Sequence, residues 1–178
     1  KYILESEDAV AYPYVAHEEV SAAVIVLNSM QAETGFWDGL LADGDLGDLQ
    51  IEKLDELLTD LRNEKSGGFQ IVVALHHHPF LFPDDTIIKK AKERFAHRLK
   101  DGDEFMDVVR GRVDALLFGH EHRHVDFSED FSGHQFTVEY EIPCILCSGK
   151  STDNGMPARL VTLTGDGEIR VEPAPWNR

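Results

Sequence analysis

The 178-residue sequence contains no apolar run of the roughly 18 residues that a membrane-spanning helix needs. Its first residues also lack the apolar core of a secretory signal peptide. It has only two cysteines, Cys144 and Cys147, which are too few for the multi-bridge framework of a small secreted domain. These absences predict a protein without a membrane span in a reducing, cytoplasmic compartment. A targeting segment ahead of Lys1 would not be visible in this sequence.

Basic residues are scarce. Lys and Arg number 17 against 33 Asp and Glu, which gives a net charge of −16. A surface this acidic repels phosphate backbones, so we expect no non-specific binding of nucleic acid by the outer surface. A deep site could still bind an anion if metal cations reverse the local field.

Several catalytic signatures are also missing. The sequence has no Gly-x-Ser-x-Gly elbow and no Walker loop, which argues against a serine hydrolase or a P-loop NTPase. Cys144 and Cys147 share the spacing of redox and zinc motifs, but they lie in an apolar run. Strand residues three apart point to opposite faces, so this pair is predicted to be structural.

Hydrophobic patterning predicts a single α/β (α+β) domain with a layered core. Apolar runs predict strands at 20–27, 69–75 and 113–118, and leucines at three- and four-residue spacings predict a helix from Leu46. Further helices are expected at 86–99 and 103–112, and a loop at 31–44. Segments 135–140, 143–147, 159–164 and 168–172 have β character and are expected to add antiparallel strands, with a hairpin turn at 165–167.

Histidines follow two of the predicted strands. His76, His77 and His78 come after 69–75, and Gly119, His120 and His122 come after 113–118. Ligand sites form at the carboxyl ends of strands in open α/β sheets, and residues two apart on an extended segment face the same side. Neutral imidazole suits zinc, iron or manganese. The pattern therefore predicts a catalytic metal site, with Gly119 allowing a tight turn and close approach.

The run from Leu75 to Pro79, followed about forty residues later by Leu117 to His122, resembles the second half of a calcineurin-like metallophosphoesterase. The resemblance covers most of residues 20–172. It implies that 1–178 is one such domain lacking its N-terminal portion, and part of a four-layer α/β/β/α sandwich. It also implies two divalent transition-metal ions (Mn, Fe or Zn), with His76 and His120 on the second ion and His122 on the first.

The other histidines leave alternatives open. A one-residue slip would make His77 the ligand in place of His76. His77 and His78 could face substrate or could be exposed to water. His124 continues the alternation of His120 and His122, so it could support a ligand or line the substrate site. The stretch 79–83 could form an apolar lip over the site or pack on the core.

The family pattern also requires upstream motifs. The sequence contains neither Asp-x-His nor Gly-Asn-His. Residues 44–48 match Gly-Asp-x-x-Asp in letters, but they follow a loop and open a helix. Asp45 and Asp48 are therefore interpreted as N-terminal helix acids that lie away from the histidines.

The resemblance implies a metal-dependent phosphoesterase that hydrolyses phosphomonoesters or phosphodiesters through a hydroxide bridging two ions. No catalytic side chain is identified within the 178 residues, and we expect this segment alone to be inactive. The alternative is a non-catalytic metal-binding or protein-interaction module that has lost the other ligands. Upstream sequence in the parent polypeptide would decide between them.

Overall fold

A computed structural model describes residues 14–19, 22–30, 44–64, 69–82, 99–120, 124–127, 134–148, 158–164 and 166–174. The strands in this part of the chain are β1 Tyr14–Glu19, β2 Ala22–Val26, β3 Gln70–Ala74, β4 Ala115–Phe118, β5 Val125–Asp126, β6 Cys144–Cys147, β7 Arg159–Leu163 and β8 Ile169–Pro173. The helices are α1 Asp48–Glu64, α2 Gly102–Val109 and α3 His134–Tyr140. The predicted loop at 31–44 and the predicted helix at 86–99 lie almost wholly outside the described residues.

The central sheet is mixed and mostly parallel. Its six strands follow the order β1-β2-β3-β4-β6-β5. Strands β2, β3, β4 and β6 run parallel, while β1 and β5 are antiparallel at the two edges. The predicted α/β core is confirmed at this level. The expected antiparallel role of 143–147 is wrong, because β6 pairs in parallel with β4 and so extends the core sheet.

Helices cover one face of this sheet. Helix α1 buries Leu54, Leu58 and Leu61 in the main hydrophobic core, as its leucine spacing predicts. Leu49, at the first turn, is 64% exposed and does not belong to that face. No helix within the described ranges is long and apolar enough to cross a membrane.

A second, two-stranded sheet packs on the opposite face. Strands β7 and β8 form an antiparallel hairpin, as predicted from the turn at 165–167. Its Leu163, Ile169 and Val171 pack against a small cluster that includes Val72 and Cys144. The described residues thus form a helical layer, a central sheet and a hairpin layer. The four-layer sandwich remains an expectation.

The two cysteines confirm that both faces of the sheet are covered. Cys147 belongs to the core on the helical face, whereas Cys144 belongs to the cluster under the hairpin. Both are buried and neither forms a disulfide. Burial, with a smaller contribution from Asp126, raises the pKa of the Cys144 thiol to about 12. The thiol therefore stays protonated and unreactive at neutral pH.

The predicted β character of 135–140 is wrong, because these residues lie in helix α3. Phe136 and Tyr140 are four residues apart and so share one helical face. Both rings stack on Phe80, with centroid separations of 4.7 and 5.8 Å. Val138 is 64% exposed. The aromatic contact thus overrides the strand propensity of this β-branched segment.

Candidate metal centre

Backbone hydrogen bonds fix the two segments that carry the histidines. The Leu75 amide donates to the Leu117 carbonyl at 3.0 Å, and the Gly119 amide donates to the His76 carbonyl at 3.0 Å. The pairing of β3 with β4 therefore continues past the ends of the strands. His76 and His120 project from backbone that the sheet itself holds in place.

The structure brings His76 and His120 together. His76 Nε2 lies 3.1 Å from His120 Nδ1, and the two rings are nearly perpendicular at 88°. Two nitrogens bound tetrahedrally to one ion, each at about 2.0–2.1 Å, would be roughly 3.3 Å apart. The separation of this pair is that of a hydrogen bond between the two rings, and it also fits the coordination of a single first-row cation by both nitrogens.

His77 joins this pair. Its ring centroid lies 4.5 Å from that of His120 and 4.9 Å from that of His76. One nitrogen from each of the three rings falls within 4.8 Å of the others, and this is the group in the described residues able to hold a metal ion. We call these three residues the imidazole cluster. Its donors are imidazole nitrogens, which among the expected ions suit zinc and iron better than manganese.

The unusual backbone at this site belongs to His120. Its φ is +71°, a left-handed conformation that costs a residue with a Cβ about 1–2 kcal/mol. Gly119 does not need to be glycine for space, since an added Cβ would meet the His76 and Ser148 carbonyl oxygens at 3.8 and 3.9 Å. The prediction of a special role for Gly119 is wrong. The left-handed residue is instead His120, whose side chain lies in the imidazole cluster.

Two residues from other segments hold the His77 ring. The Ser29 Oγ lies 2.9 Å from His77 Nδ1 and also accepts the His77 backbone N–H at 3.2 Å. On another side, a Cβ at Gly44 would lie only 2.5 Å from His77 Cγ. Ser29 did not stand out in the sequence, because it is 48 residues from His77 along the chain. Gly44 opens the 44–48 match to Gly-Asp-x-x-Asp, which is interpreted as a helix start and not as a contact with the histidines.

His78 lies beneath the cluster in the core. It is fully buried, and its ring packs against Phe82 at a centroid separation of 5.6 Å. His77 is only 1% exposed. The alternative that these two histidines are exposed to water is therefore wrong for both. Of the two readings of 79–83, the described Phe80 and Phe82 favour core packing, since both are buried.

The remaining site candidates are placed differently. His122, predicted to bind the first ion, lies outside the described residues. His124 is half-buried and leads into β5, so its predicted supporting role stays a prediction. Asp48 begins helix α1, as expected for a helix acid. Asp45 and Asp48 do not belong to the imidazole cluster, although the neighbouring Gly44 lies against His77.

Asp101 fastens the segment that precedes α1. Its Oδ2 accepts the backbone N–H groups of Leu46 and Gly47, each at 2.9 Å. Burial raises the pKa of this carboxyl above its ordinary value, although the two backbone hydrogen bonds act in the opposite direction. Asp101 thereby helps to hold Gly44 and its neighbours beside the cluster.

No protein-family model matches the chain. The chain is similar to a protein of Synechococcus sp. (strain WH7803) that is named a probable cyclic nucleotide phosphodiesterase. The two are 32% identical over 146 residues, which cover 75% of this chain and 49% of that relative. The chain therefore spans about half the length of the curated relative it matches. At a coarse level, this similarity supports a phosphoesterase.

Proposed function

We propose that this chain is part of a metal-dependent phosphoesterase that hydrolyses phosphomonoesters or phosphodiesters. The observation that carries the proposal is the 3.1 Å approach of His76 Nε2 to His120 Nδ1, with His77 beside them. Metal-binding imidazoles at the carboxyl ends of parallel strands suit that chemistry. The similarity to a probable phosphodiesterase supports the same class.

Within this proposal, His76 and His120 would hold the second of two divalent ions, and His122 would contribute to the first. When bound, such ions supply positive charge that polarises phosphoryl oxygens and lowers the pKa of water. The chain's own contribution is to orient the imidazoles, through the β3–β4 ladder and the left-handed backbone of His120.

The charge of the protein makes local cations important for such a substrate. With a net charge of −16, the chain as a whole repels a phosphoester. Imidazoles that bind divalent ions would reverse the field at one point only. Phosphoester binding would then be restricted to the site, and we expect the rest of the surface to bind phosphoesters weakly.

One observation favours the alternative of a non-catalytic metal-binding module. The metal-capable group in the described residues consists of imidazoles and contains no carboxylate. Neutral ligands leave the charge of two neighbouring dications uncompensated. Under the phosphoesterase proposal the missing ligands must come from elsewhere, so we also propose that the 178 residues are the C-terminal portion of a domain whose upstream part supplies them.

The test compares the 178-residue chain with its longer parent polypeptide, both assayed in added manganese. Substrates are bis-p-nitrophenyl phosphate, p-nitrophenyl phosphate and a cyclic nucleotide, the last chosen because of the relative's name. We expect turnover by the parent, little by the 178 residues, and loss of turnover in the parent's His120→Ala variant. Metal binding without turnover by the parent would favour the non-catalytic module. Unchanged turnover in the variant would refute the role of His120.

A further inference from the structure

We propose that Ser29 is a positioning residue of the metal centre: its hydroxyl accepts the Nδ1 proton of His77 and so presents the Nε2 lone pair of that ring to the cation. This inference rests on the proposed function, because it assumes that the imidazole cluster binds metal. It adds His77 as a ligand and Ser29 as the residue that prepares it.

The contacts at Ser29 define the proton arrangement. Its Oγ already accepts the backbone N–H of His77 at 3.2 Å and lies 2.9 Å from His77 Nδ1. The 2.9 Å contact is compatible with a proton on either atom. If Nδ1 carries the shared proton, Nε2 of the neutral ring has a lone pair available for a metal. If the Ser29 hydroxyl donates its proton to Nδ1, the neutral ring carries its own proton on Nε2. A protonated nitrogen cannot ligate a cation, so the ligation through Nε2 that we propose requires the first arrangement.

Ser29 is suited to this task because its own position is fixed. The Gln50 side-chain amide makes two hydrogen bonds with the backbone of Asn28, the residue before Ser29. Its Oε1 accepts the Asn28 N–H at 2.8 Å, and its Nε2 donates to the Asn28 carbonyl at 3.0 Å. The Ser29 carbonyl accepts the Asp45 N–H at 2.9 Å. Ser29 is 1% exposed, so water does not compete for its hydroxyl.

Gly44 restricts the ring from another direction. A Cβ at this position would lie 2.5 Å from His77 Cγ and 2.6 Å from Nδ1, closer than real Cβ contacts allow. The ring is therefore confined between the Gly44 backbone and the Ser29 hydroxyl. Metal-binding histidines commonly donate their second ring N–H to a fixed acceptor, and loss of that acceptor costs about 10- to 100-fold in affinity.

The first measurement needs no metal and begins with the unsubstituted chain. Long-range proton–nitrogen NMR of the 178-residue chain reports which nitrogen of each neutral histidine carries the proton, and a His77→Gln spectrum assigns the His77 signals. We expect His77 in the Nδ1–H form. Ser29→Ala should move it toward the Nε2–H form common in water. Ser148→Ala is the matched control, because Ser148 also follows a core strand but its hydroxyl donates to a backbone carbonyl at 3.1 Å.

The second measurement is titration with Co²⁺, followed by its visible absorption. We expect Ser29→Ala to weaken Co²⁺ binding about 10- to 100-fold with an altered spectrum, and Ser148→Ala to leave both unchanged. An Nε2–H tautomer in the unsubstituted chain, or unchanged Co²⁺ affinity in Ser29→Ala, would overturn the inference. Absence of Co²⁺ binding by the unsubstituted chain would instead refute metal binding by the imidazole cluster within these 178 residues, whereas turnover by the parent polypeptide tests the proposed function separately. The tautomer would still decide whether Ser29 orients His77.

Discussion

The two ends of the parallel strands are built on opposite chemistry. At the amino ends, the Arg62 guanidinium donates to the Phe69 carbonyl at 3.2 Å, the Arg112 carbonyl at 2.9 Å and the Asp114 carboxylate at 2.9 Å. Asp114 also accepts the Ile71 amide at 2.7 Å. At the carboxyl ends, three like imidazoles meet, and one comes from a residue with left-handed backbone.

At the amino ends, the Arg62 guanidinium and the Asp114 carboxylate pair with each other, and backbone groups make further hydrogen bonds with both side chains. Arg112 extends this network to helix α1, where it contacts the Asp55 carboxylate and donates to the Thr59 hydroxyl at 2.7 Å. Such contacts hold the helix on the sheet.

The carboxyl ends instead bring three imidazoles close together, and one of them, His120, has strained left-handed backbone. Strain of this kind persists where the surroundings impose it, and it is concentrated at functional sites. One end of the sheet thus serves stability, and the other is where we propose metal binding.

The largest expected effect comes from His120. Both His120→Ala and His120→Gly should reduce Co²⁺ affinity by more than about 100-fold, because each removes a ligand itself and not only its support. Their stabilities should differ. Glycine adopts a φ of +71° without penalty, so the glycine variant should be about 1 kcal/mol more stable than the alanine variant.

The measurements are metal titration and urea unfolding of both variants. Equal stability of the two would show that the His120 backbone is not strained. Retained Co²⁺ affinity in both variants would mean that His120 is not a metal ligand, and the proposed metal-binding role of the carboxyl ends would lose its support.

An intermediate effect is expected at the amino ends. Asp114→Ala removes the acceptor of both Arg62 and the Ile71 amide, and unpaired polar groups of this kind cost about 1–3 kcal/mol of unfolding free energy. Asp114→Asn keeps one acceptor oxygen and should lose less. Urea unfolding gives the stabilities, and Co²⁺ titration should show unchanged affinity in both. A weakened metal site in Asp114→Ala would mean that the two ends are not independent.

Much of this contrast could be predicted from local patterns in the sequence. Apolar runs placed β2, β3 and β4 within two residues at either end, and leucine spacing placed α1. The same strand ends pointed to His76 and His120. Hydrophobic periodicity predicts these elements correctly because buried side chains recur at short, regular spacings along a strand or a helix. It failed for α3, where contact with Phe80 decides the structure, and it did not indicate β1 at all.

The supporting residues of the site could not be predicted in the same way. Ser29 is 48 residues from His77 along the chain and belongs to no motif that signals contact with a histidine. Gly44 belongs to the Gly-Asp-x-x-Asp match at 44–48, but its place before a helix led to a helix-start interpretation, and its contact with His77 was missed. The left-handed backbone of His120 was also missed, because the flexible residue in the pattern is Gly119. Such contacts depend on how separate strands and loops pack in the folded chain, and the local spacing of residues does not predict that packing.

The smallest expected effect is a pH dependence at Asp101, on the carboxyl side of the sheet. Burial raises the pKa of this carboxyl above 3.8, so just above that pH the folded chain retains a proton that the unfolded chain has lost. Stability falls with rising pH wherever the folded state binds more protons.

In Asp101→Asn, an amide oxygen can still accept the Leu46 and Gly47 N–H groups, but the amide does not titrate. Urea unfolding of both proteins across this acidic range should show the stability of the unsubstituted chain, relative to the variant, decreasing as pH rises through the folded pKa. A relative stability that instead increases with pH would mean that the two backbone hydrogen bonds outweigh burial at Asp101.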